Sequence, residues 1–296
     1  MLDAFTAPGR FFRGNLHCHS SRSDGDPTPA RVCAFYRDAG YDFISLTDHF
    51  MERFGYPVVD TTPFRADGFT TLIGAELHAE GIDNGEIWHV LANGLPLDFA
   101  PLMPGETAAQ LAQRALDAGA FVSIAHPGWY GLTLDDALAM PPAHAVEAYN
   151  SICDWETGRG DGNYLIDQLL NKGRRTGVIA TDDAHRYGEE ACRGWVMVKA
   201  ESNSPDAILS ALKAGAYYAS QGPSIHHIEI DGDHLFVETS AARSMWLVGH
   251  AARSTVVMGR GITRARLPLE KFSGGWARLI IADEQGRRAW SNPLFV

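Results

Sequence analysis

Two imidazoles one residue apart, in His17-Cys18-His19, are the first side chains in this sequence able to hold a metal together. Side chains of an extended strand alternate between faces, so this spacing puts both rings on one side and Cys18 on the other. Neutral imidazole is the commonest nitrogen ligand for a borderline divalent ion. Asp24, followed by Gly25 on a turn, adds a hard carboxylate oxygen at the end of the same strand. Alone, such a pair is more often two ordinary strand histidines. What decides is whether comparable clusters follow.

They do. An apolar run from Tyr41 ends in Thr47-Asp48-His49, Glu76 closes the run that starts at Thr70, and His89 stands in the run Ile87 to Asn93. Phe121 to Ala125 leads into His126-Pro127-Gly128, and Val178 to Ala180 into Thr181-Asp182-Asp183-Ala184-His185. Each run reads as a strand with a metal-capable residue at its end. In a parallel α/β barrel the functional residues gather at the C-terminal ends of the strands, so residues distant in sequence meet there. The expected set is His17, His19, Asp24, His49, Glu76, His89, His126, Asp183 and His185. An ion takes four to six ligands, some of them water, so this set suits two or three divalent ions. A bridging carboxylate is expected at such a centre, Glu76 first and Asp183 second. His78 shares the face of Glu76 but is not needed as a ligand, and is expected to line the pocket.

The elements between these runs have the rhythm of a parallel sheet. Helices are expected from Pro29 to Gly40, Thr107 to Ala118, Tyr164 to Leu170 and Pro205 to Ala214, and further strands at Val146 to Tyr149 and Tyr217 to Ala219. Thr70 to His78 pairs with Ile87 to Asn93 as a hairpin across Asp83-Asn84-Gly85. Met51 to Gly68, with Pro57 and Pro63, reads as a loop near the mouth of the site. From Ser224 the texture changes to short alternating segments and turns, an all-β module. The expected division is residues 1–222 and 223–296. Trp246, Trp276 and Trp290 fit the core of a small sandwich, which could shape one rim of the pocket or support a homo-oligomer.

At 296 residues with 45% hydrophobic and 21% charged side chains, the chain can bury a sizeable core. A formal net charge of -11 leaves no overall footprint for gripping a nucleic-acid backbone or an anionic membrane. The stretch Met1 to Gly14 has no apolar core of the length a signal peptide needs, and no run approaches a membrane span, so the expected location is cytoplasmic. Cys18, Cys33, Cys153 and Cys192 lie far apart with no Cys-x-x-Cys and read as reduced thiols, Cys18 packed behind the site.

The ordered set His17-x-His19, Ser23-Asp24-Gly25, Thr47-Asp48-His49, Gly74-Ala75-Glu76, His89-Val-Leu, Ala125-His126-Pro127 and Asp183-Ala184-His185 resembles the successive motifs of the PHP (polymerase and histidinol phosphatase) superfamily, over about Asn15 to Ser220. The resemblance implies a distorted seven-stranded (β/α) barrel with a trinuclear centre of zinc, iron or manganese, all nine residues as ligands and Glu76 bridging. Asp24 stands where some members have histidine. Arg193-Gly194-Trp195 and Trp290-Ser291-Asn292-Pro293 look more like the branch that includes carbaryl hydrolase, which cleaves a carbamate ester.

The expected activity is hydrolysis of phosphate mono- or diesters by hydroxide activated at a multinuclear metal centre, since bound ions lower the pKa of water toward roughly 7. His17, His19, Glu76 and Asp183 would carry the chemistry, with Arg22 and Arg186, and Arg193 nearby, binding the remaining phosphate charge. Glu147 and Asn150 either line the pocket or hydrogen-bond loop backbone. Trp88, Trp129 and Tyr130 form an apolar wall or belong to the core. The alternatives are a carboxyl-ester or carbamate hydrolase with the same centre, and a non-catalytic metal-dependent binding module. The partner is a small-molecule phosphate ester or other ester.

Overall fold

In the computed structural model, which describes residues 3–296, the apolar runs become strands and the amphipathic runs become helices. Met1 and Leu2, part of the N-terminal stretch and of the expected first domain, lie outside the described residues. The first ten strands are β1 (Arg10–Asn15), β2 (Phe43–Leu46), β3 (His49–Phe50), β4 (Thr70–Leu77), β5 (Val90–Asn93), β6 (Phe121–Ile124), β7 (Ala145–Asn150), β8 (Gly177–Thr181), β9 (Trp195–Ala200) and β10 (Tyr217–Ser220). The helices are α1 (Asp3–Thr6), α2 (Pro29–Asp38), α3 (Ala108–Asp117), α4 (Leu134–Ala139), α5 (Ser151–Thr157), α6 (Asn163–Asn171) and α7 (Pro205–Lys213).

Local chemistry sets the helix limits. Pro29 occupies the first turn of α2, where its missing N–H costs nothing, and Gly40, at φ 80°, takes the left-handed conformation just beyond the helix end. Thr107 and Gln110 form a reciprocal capping box at the start of α3, whose Leu111, Ala112 and Ala115 are buried. Ser204 caps α7 through the Ala207 N–H.

β1, β2 and β4 are parallel, β5 is antiparallel to both β4 and β6, and β6, β7 and β8 are parallel again. Past their ends β1 and β8 meet: Cys18 bridges Ala184, the His19 N–H donates to the Ala184 carbonyl at 3.0 Å, and the Asp183 N–H to that of His17 at 2.8 Å. Phe12, Phe43, Leu72, Leu91, Phe121 and Ile179, from six of these strands, pack together with Leu16, just past β1, with almost no exposure. The chain is thus a mixed α/β protein, with the apolar fill below and the strand ends above.

Four expectations need correction. β1 begins and ends earlier than read: His17 and His19 lie just past it, in chain still extended enough to bridge Ala184. The antiparallel pairing of β4 with β5 and the turn at Asp83-Asn84-Gly85 are as expected, the Gly85 N–H donating to the Ile82 carbonyl at 3.0 Å, but the strands stop at Leu77 and Val90, short of the expected bounds. β9, with Val196, Val198 and Ala200 buried on one face, is a strand beyond those expected; it inserts antiparallel between β1 and β10 and breaks the parallel rhythm. Trp276 and Trp290 pack with Val146, Leu165, Ile166 and Val178, joining the C-terminal strands to the first part of the chain rather than filling a separate core.

Those strands are β11 (Ile225–Asp231), β12 (His234–Gly249), β13 (Ser254–Pro268), β14 (Trp276–Ala282), β15 (Arg288–Ser291) and β16 (Leu294–Phe295). β12 pairs with β11, β13 and β14, and β15 pairs with β10, so one sheet runs through the whole chain. Arg278 of β14 is 1% exposed, and its guanidinium donates to Asp167 at 2.8 Å and Asn163 at 2.9 Å, both on α6.

Candidate metal centre

The strand ends bring the nine expected residues together. His17 and His19 follow β1, His49 opens β3, Glu76 sits near the end of β4, His89 precedes β5, His126 follows β6, and Asp183 and His185 follow β8. Asp24 reaches in from the turn after His19. That turn is tight: a Cβ at Gly25 would come within 2.7 Å of the His19 backbone, so only glycine fits. Asp48 anchors it, accepting from the Ser20 N–H at 2.7 Å and from the Ser20 and Ser23 hydroxyls at 2.8 Å.

Glu76 is the hub. Its Oε1 lies 2.7 Å from His89 Nδ1 and 3.2 Å from His126 Nε2. Its Oε2 lies 2.7 Å from His49 Nδ1, 3.5 Å from His19 Nε2 and 3.6 Å from His17 Nε2. Asp183 Oδ1 is 3.0 Å from His17 Nε2 and 2.9 Å from His19 Nε2. An outer group forms where Asp24 faces His49 Nε2 at 3.3 Å and His185 Nε2 at 3.4 Å. His78, set aside as unnecessary, is also in the cluster, its Nε2 2.8 Å from His49 Nδ1.

These donors fit divalent ions. The Nε2 atoms of His17 and His19 are 3.2 Å apart; two nitrogen ligands of one tetrahedral ion stand about 3.3 Å apart when metal–nitrogen bonds are about 2.0–2.1 Å. Glu76 Oε2, Asp183 Oδ1 and His126 Nδ1 are buried with no hydrogen-bond partner among the described residues, although imidazole nitrogens crowd the two carboxylate oxygens. Leaving such atoms unpaired is costly, and bound cations would satisfy the two carboxylate oxygens. The backbone is strained at two of the positions: His126 has φ 21° and Asp183 φ 56°, conformations that non-glycine residues hold only where the surroundings impose them.

The electrostatics divide the imidazoles. Burial and the neighbouring His185 and His49 push His19 down to about 3, and burial, only partly offset by Glu76, takes His89 to about 4. Burial also lowers His17, but the carboxylates of Asp183, Glu147 and Glu76 outweigh it and hold this group well above its ordinary value. His49 is lifted to about 10 because Glu76 and Asp24 outweigh its burial, and His185 is raised by Asp24 and Asp183 in the same way. Burial opposes ionisation of Glu76 and Asp183, yet the surrounding imidazoles keep both well below the usual carboxylate range.

A second layer holds the first. Glu147 is fully buried in β7: its Oε1 accepts from His17 Nδ1–H at 2.8 Å and from the Thr181 hydroxyl at 2.6 Å, its Oε2 from the His126 N–H at 2.7 Å and the Asn150 amide at 2.8 Å. Asn150 also donates to Asp183 Oδ2 at 3.1 Å. Neither residue lines the cavity; both orient residues of the centre. The signal lay in the sequence, since a carboxylate within a strand that is otherwise apolar must be paired. Asp182 accepts the N–H groups of Cys192, Arg193 and Gly194 and the Tyr36 hydroxyl, pinning the return into β9.

A cavity of about 470 Å³ opens beside the centre, walled by Asp24, His49, His89, His126, Asp183 and His185 and farther out by Met51, Arg53, Trp129 and Arg186. The expectation for the Met51 to Gly68 loop holds at Met51 and Arg53. Arg186 reaches the wall, where it pairs with Glu156 at 2.8 Å. Arg22 is exposed and is not among the wall residues, and Arg193 pairs with Glu189 and lies over the Trp155 ring. Trp129 is 38% exposed on the wall, whereas Trp88 and Tyr130 are core. Cys18 is fully buried behind His17 and His19, its thiol donating to the Ser45 carbonyl.

No family model matches the chain, and no curated protein matches it. Among solved structures it is similar to a two-domain protein from Bacteroides vulgatus containing a predicted PHP-like metal-dependent phosphoesterase, at 19% identity over 98% of each chain with a TM-score of 0.53. Partial likenesses at a TM-score of 0.44 are to a candidate metal-dependent phosphoesterase of Bifidobacterium adolescentis (16% identity, 60% of this chain, 88% of that one) and to an amidohydrolase of Chromobacterium violaceum with bound sulfate and no metal (14%, 60% and 89%). The chain therefore shares, over almost its whole length, the fold of the Bacteroides vulgatus protein.

Proposed function

We propose that this chain is a metal-dependent hydrolase of phosphate mono- or diesters, holding two or three divalent ions of zinc, iron or manganese through the nine residues named above. The observation that carries the reading is Glu76, a buried carboxylate whose two oxygens face different imidazoles and one of which has no hydrogen-bond partner among the described residues. Bound ions would supply Lewis acidity toward phosphoryl oxygens and acidify a water to near-neutral pKa. His17, His19 and Asp183 hold the inner position, with Glu147 fixing His17 so that Nε2 points inward. Arg186 and Arg53 on the cavity wall offer cationic contacts to an ester's remaining charge, Arg186 by exchanging its Glu156 partner.

In this reading the run β1, β2, β4, β5, β6, β7, β8, joined back at Cys18 and Ala184, is the distorted seven-stranded barrel of residues 1–222, and residues 223–296 are a small β domain docked through Trp276, Trp290 and Arg278. The substrate is a small molecule rather than a nucleic acid, in keeping with the charge of -11. No helix is long and apolar enough to cross a membrane among the described residues. A carboxyl-ester or carbamate substrate is the second reading, favoured by the apolar part of the wall at Met51, Ile87, Trp129 and Ile152. Parallel rates on bis- and mono-p-nitrophenyl phosphate and p-nitrophenyl acetate decide: phosphate esters turned over best supports the proposal, and acetate cleaved alone replaces it with the second reading.

A further inference from the structure

His78 lies outside the nine-residue set, yet it is 4% exposed, borders the cavity and touches the centre from the side of β4. Its Nδ1 lies 3.0 Å from the Trp88 carbonyl oxygen. A carbonyl oxygen only accepts, so Nδ1 carries the proton and Nε2 of the neutral ring carries the lone pair. That lone pair faces His49 Nδ1 at 2.8 Å. Two ring nitrogens at this separation share a proton.

His49 belongs geometrically to two groups, the inner one with Glu76 and His78 and the outer one with His19, Asp24 and His185. One imidazole in its neutral form binds through one nitrogen, and the other nitrogen decides which. Glu76 Oε2 is also near His49 Nδ1 but accepts no aligned hydrogen bond, which leaves His78 Nε2 as the acceptor.

We propose that His78 is a positioning residue: the relay from His49 Nδ1–H to His78 Nε2, and from His78 Nδ1–H to the Trp88 carbonyl, fixes the His49 proton on Nδ1 and commits its Nε2 to the outer cluster with Asp24 and His185. The proposal rests on the metal centre argued above. It makes the outermost ion the one that depends on His78, while the ion between His17, His19 and Asp183 does not.

Two measurements test it, neither requiring turnover. In the intact zinc-loaded protein, long-range proton–nitrogen correlation spectra of the histidine rings should show His49 with a protonated Nδ1 and a metal-shifted Nε2; a metal-shifted Nδ1 with Nε2–H overturns the proposal. In the second, wild type, His78→Ala and His78→Gln are dialysed against graded chelator and their metal counted by plasma mass spectrometry. The alanine variant should lose one ion at about tenfold lower chelator concentration than wild type, with the inner ions retained. The glutamine variant keeps an acceptor toward His49 and should stay within about threefold of wild type. Alanine matching wild type, or glutamine losing metal as alanine does, overturns the positioning role, the latter in favour of direct ligation. Wild type that binds no zinc removes the metal centre itself, and is distinguishable from a loaded wild type whose His49 has the opposite tautomer.

Discussion

Nδ1 of His17 donates to Oε1 of Glu147 across 2.8 Å, and solvent reaches neither side chain. Glu147 accepts four hydrogen bonds, so an amide at this position must turn an N–H toward at least one donor. Glu147→Gln should weaken metal binding by about 10- to 100-fold, as for loss of other outer partners of metal ligands. A chelator competition series on the purified variant measures this, and unchanged affinity would make the pair a packing feature only.

Arg186 lines the cavity and Arg22 does not. Arg186→Ala should raise KM for a phosphate ester severalfold with kcat little changed, because it removes binding rather than reaction chemistry. Arg22→Ala should leave both constants unchanged, since the exposed Arg22 is not on the cavity wall. Equal effects from the two would contradict the cavity as the substrate site.

Metal uptake should release protons. His17, held well above its ordinary value, and His49, lifted to about 10, keep their protons through neutral pH in the metal-free protein, and His185 is shifted in the same direction. A cation needs the neutral ring, so affinity rises with pH and falls as the solution is acidified. Calorimetric zinc titrations in buffers of different ionisation enthalpy between pH 6 and 9 should show net proton release, greatest at the acid end. Binding without proton exchange contradicts these shifts.

Asp167 and Arg278 bind α6 to β14. Removing the carboxylate leaves a guanidinium that is 1% exposed without its charge partner. Breaking a buried pair costs about 3–5 kcal/mol; Asp167 is 34% exposed, so a discounted loss of about 2–3 kcal/mol is expected for Asp167→Ala. The urea midpoint should fall accordingly, and an unchanged midpoint would show that the contact between the C-terminal strands and α6 does not depend on this pair.

Much of the site was legible because ligands must be particular residue types and strand ends must converge: the nine residues from His17 to His185 form one cluster, six of them on the cavity wall and His17, His19 and Glu76 buried behind it. His78 was undervalued because spacing shows that it shares a face with Glu76 but not that the Trp88 carbonyl fixes its tautomer. Arg22 was overvalued because closeness in sequence to His19 says nothing of which way a turn projects its side chain. β9 was missed although its alternation is clear, since a parallel rhythm gives no reason to expect an antiparallel insertion. Trp276 and Trp290 read as core, which they are, but periodicity cannot say that the core they fill includes α6 and β7.

The most direct test is reconstitution of metal-free protein with zinc, manganese or iron, counting ions per chain while following bis-p-nitrophenyl phosphate hydrolysis. Two to three ions should bind, activity should appear only as they do, and His17→Ala and Asp183→Ala should abolish it. Phosphoesterase activity in the metal-free protein, or activity surviving both substitutions, would contradict the account.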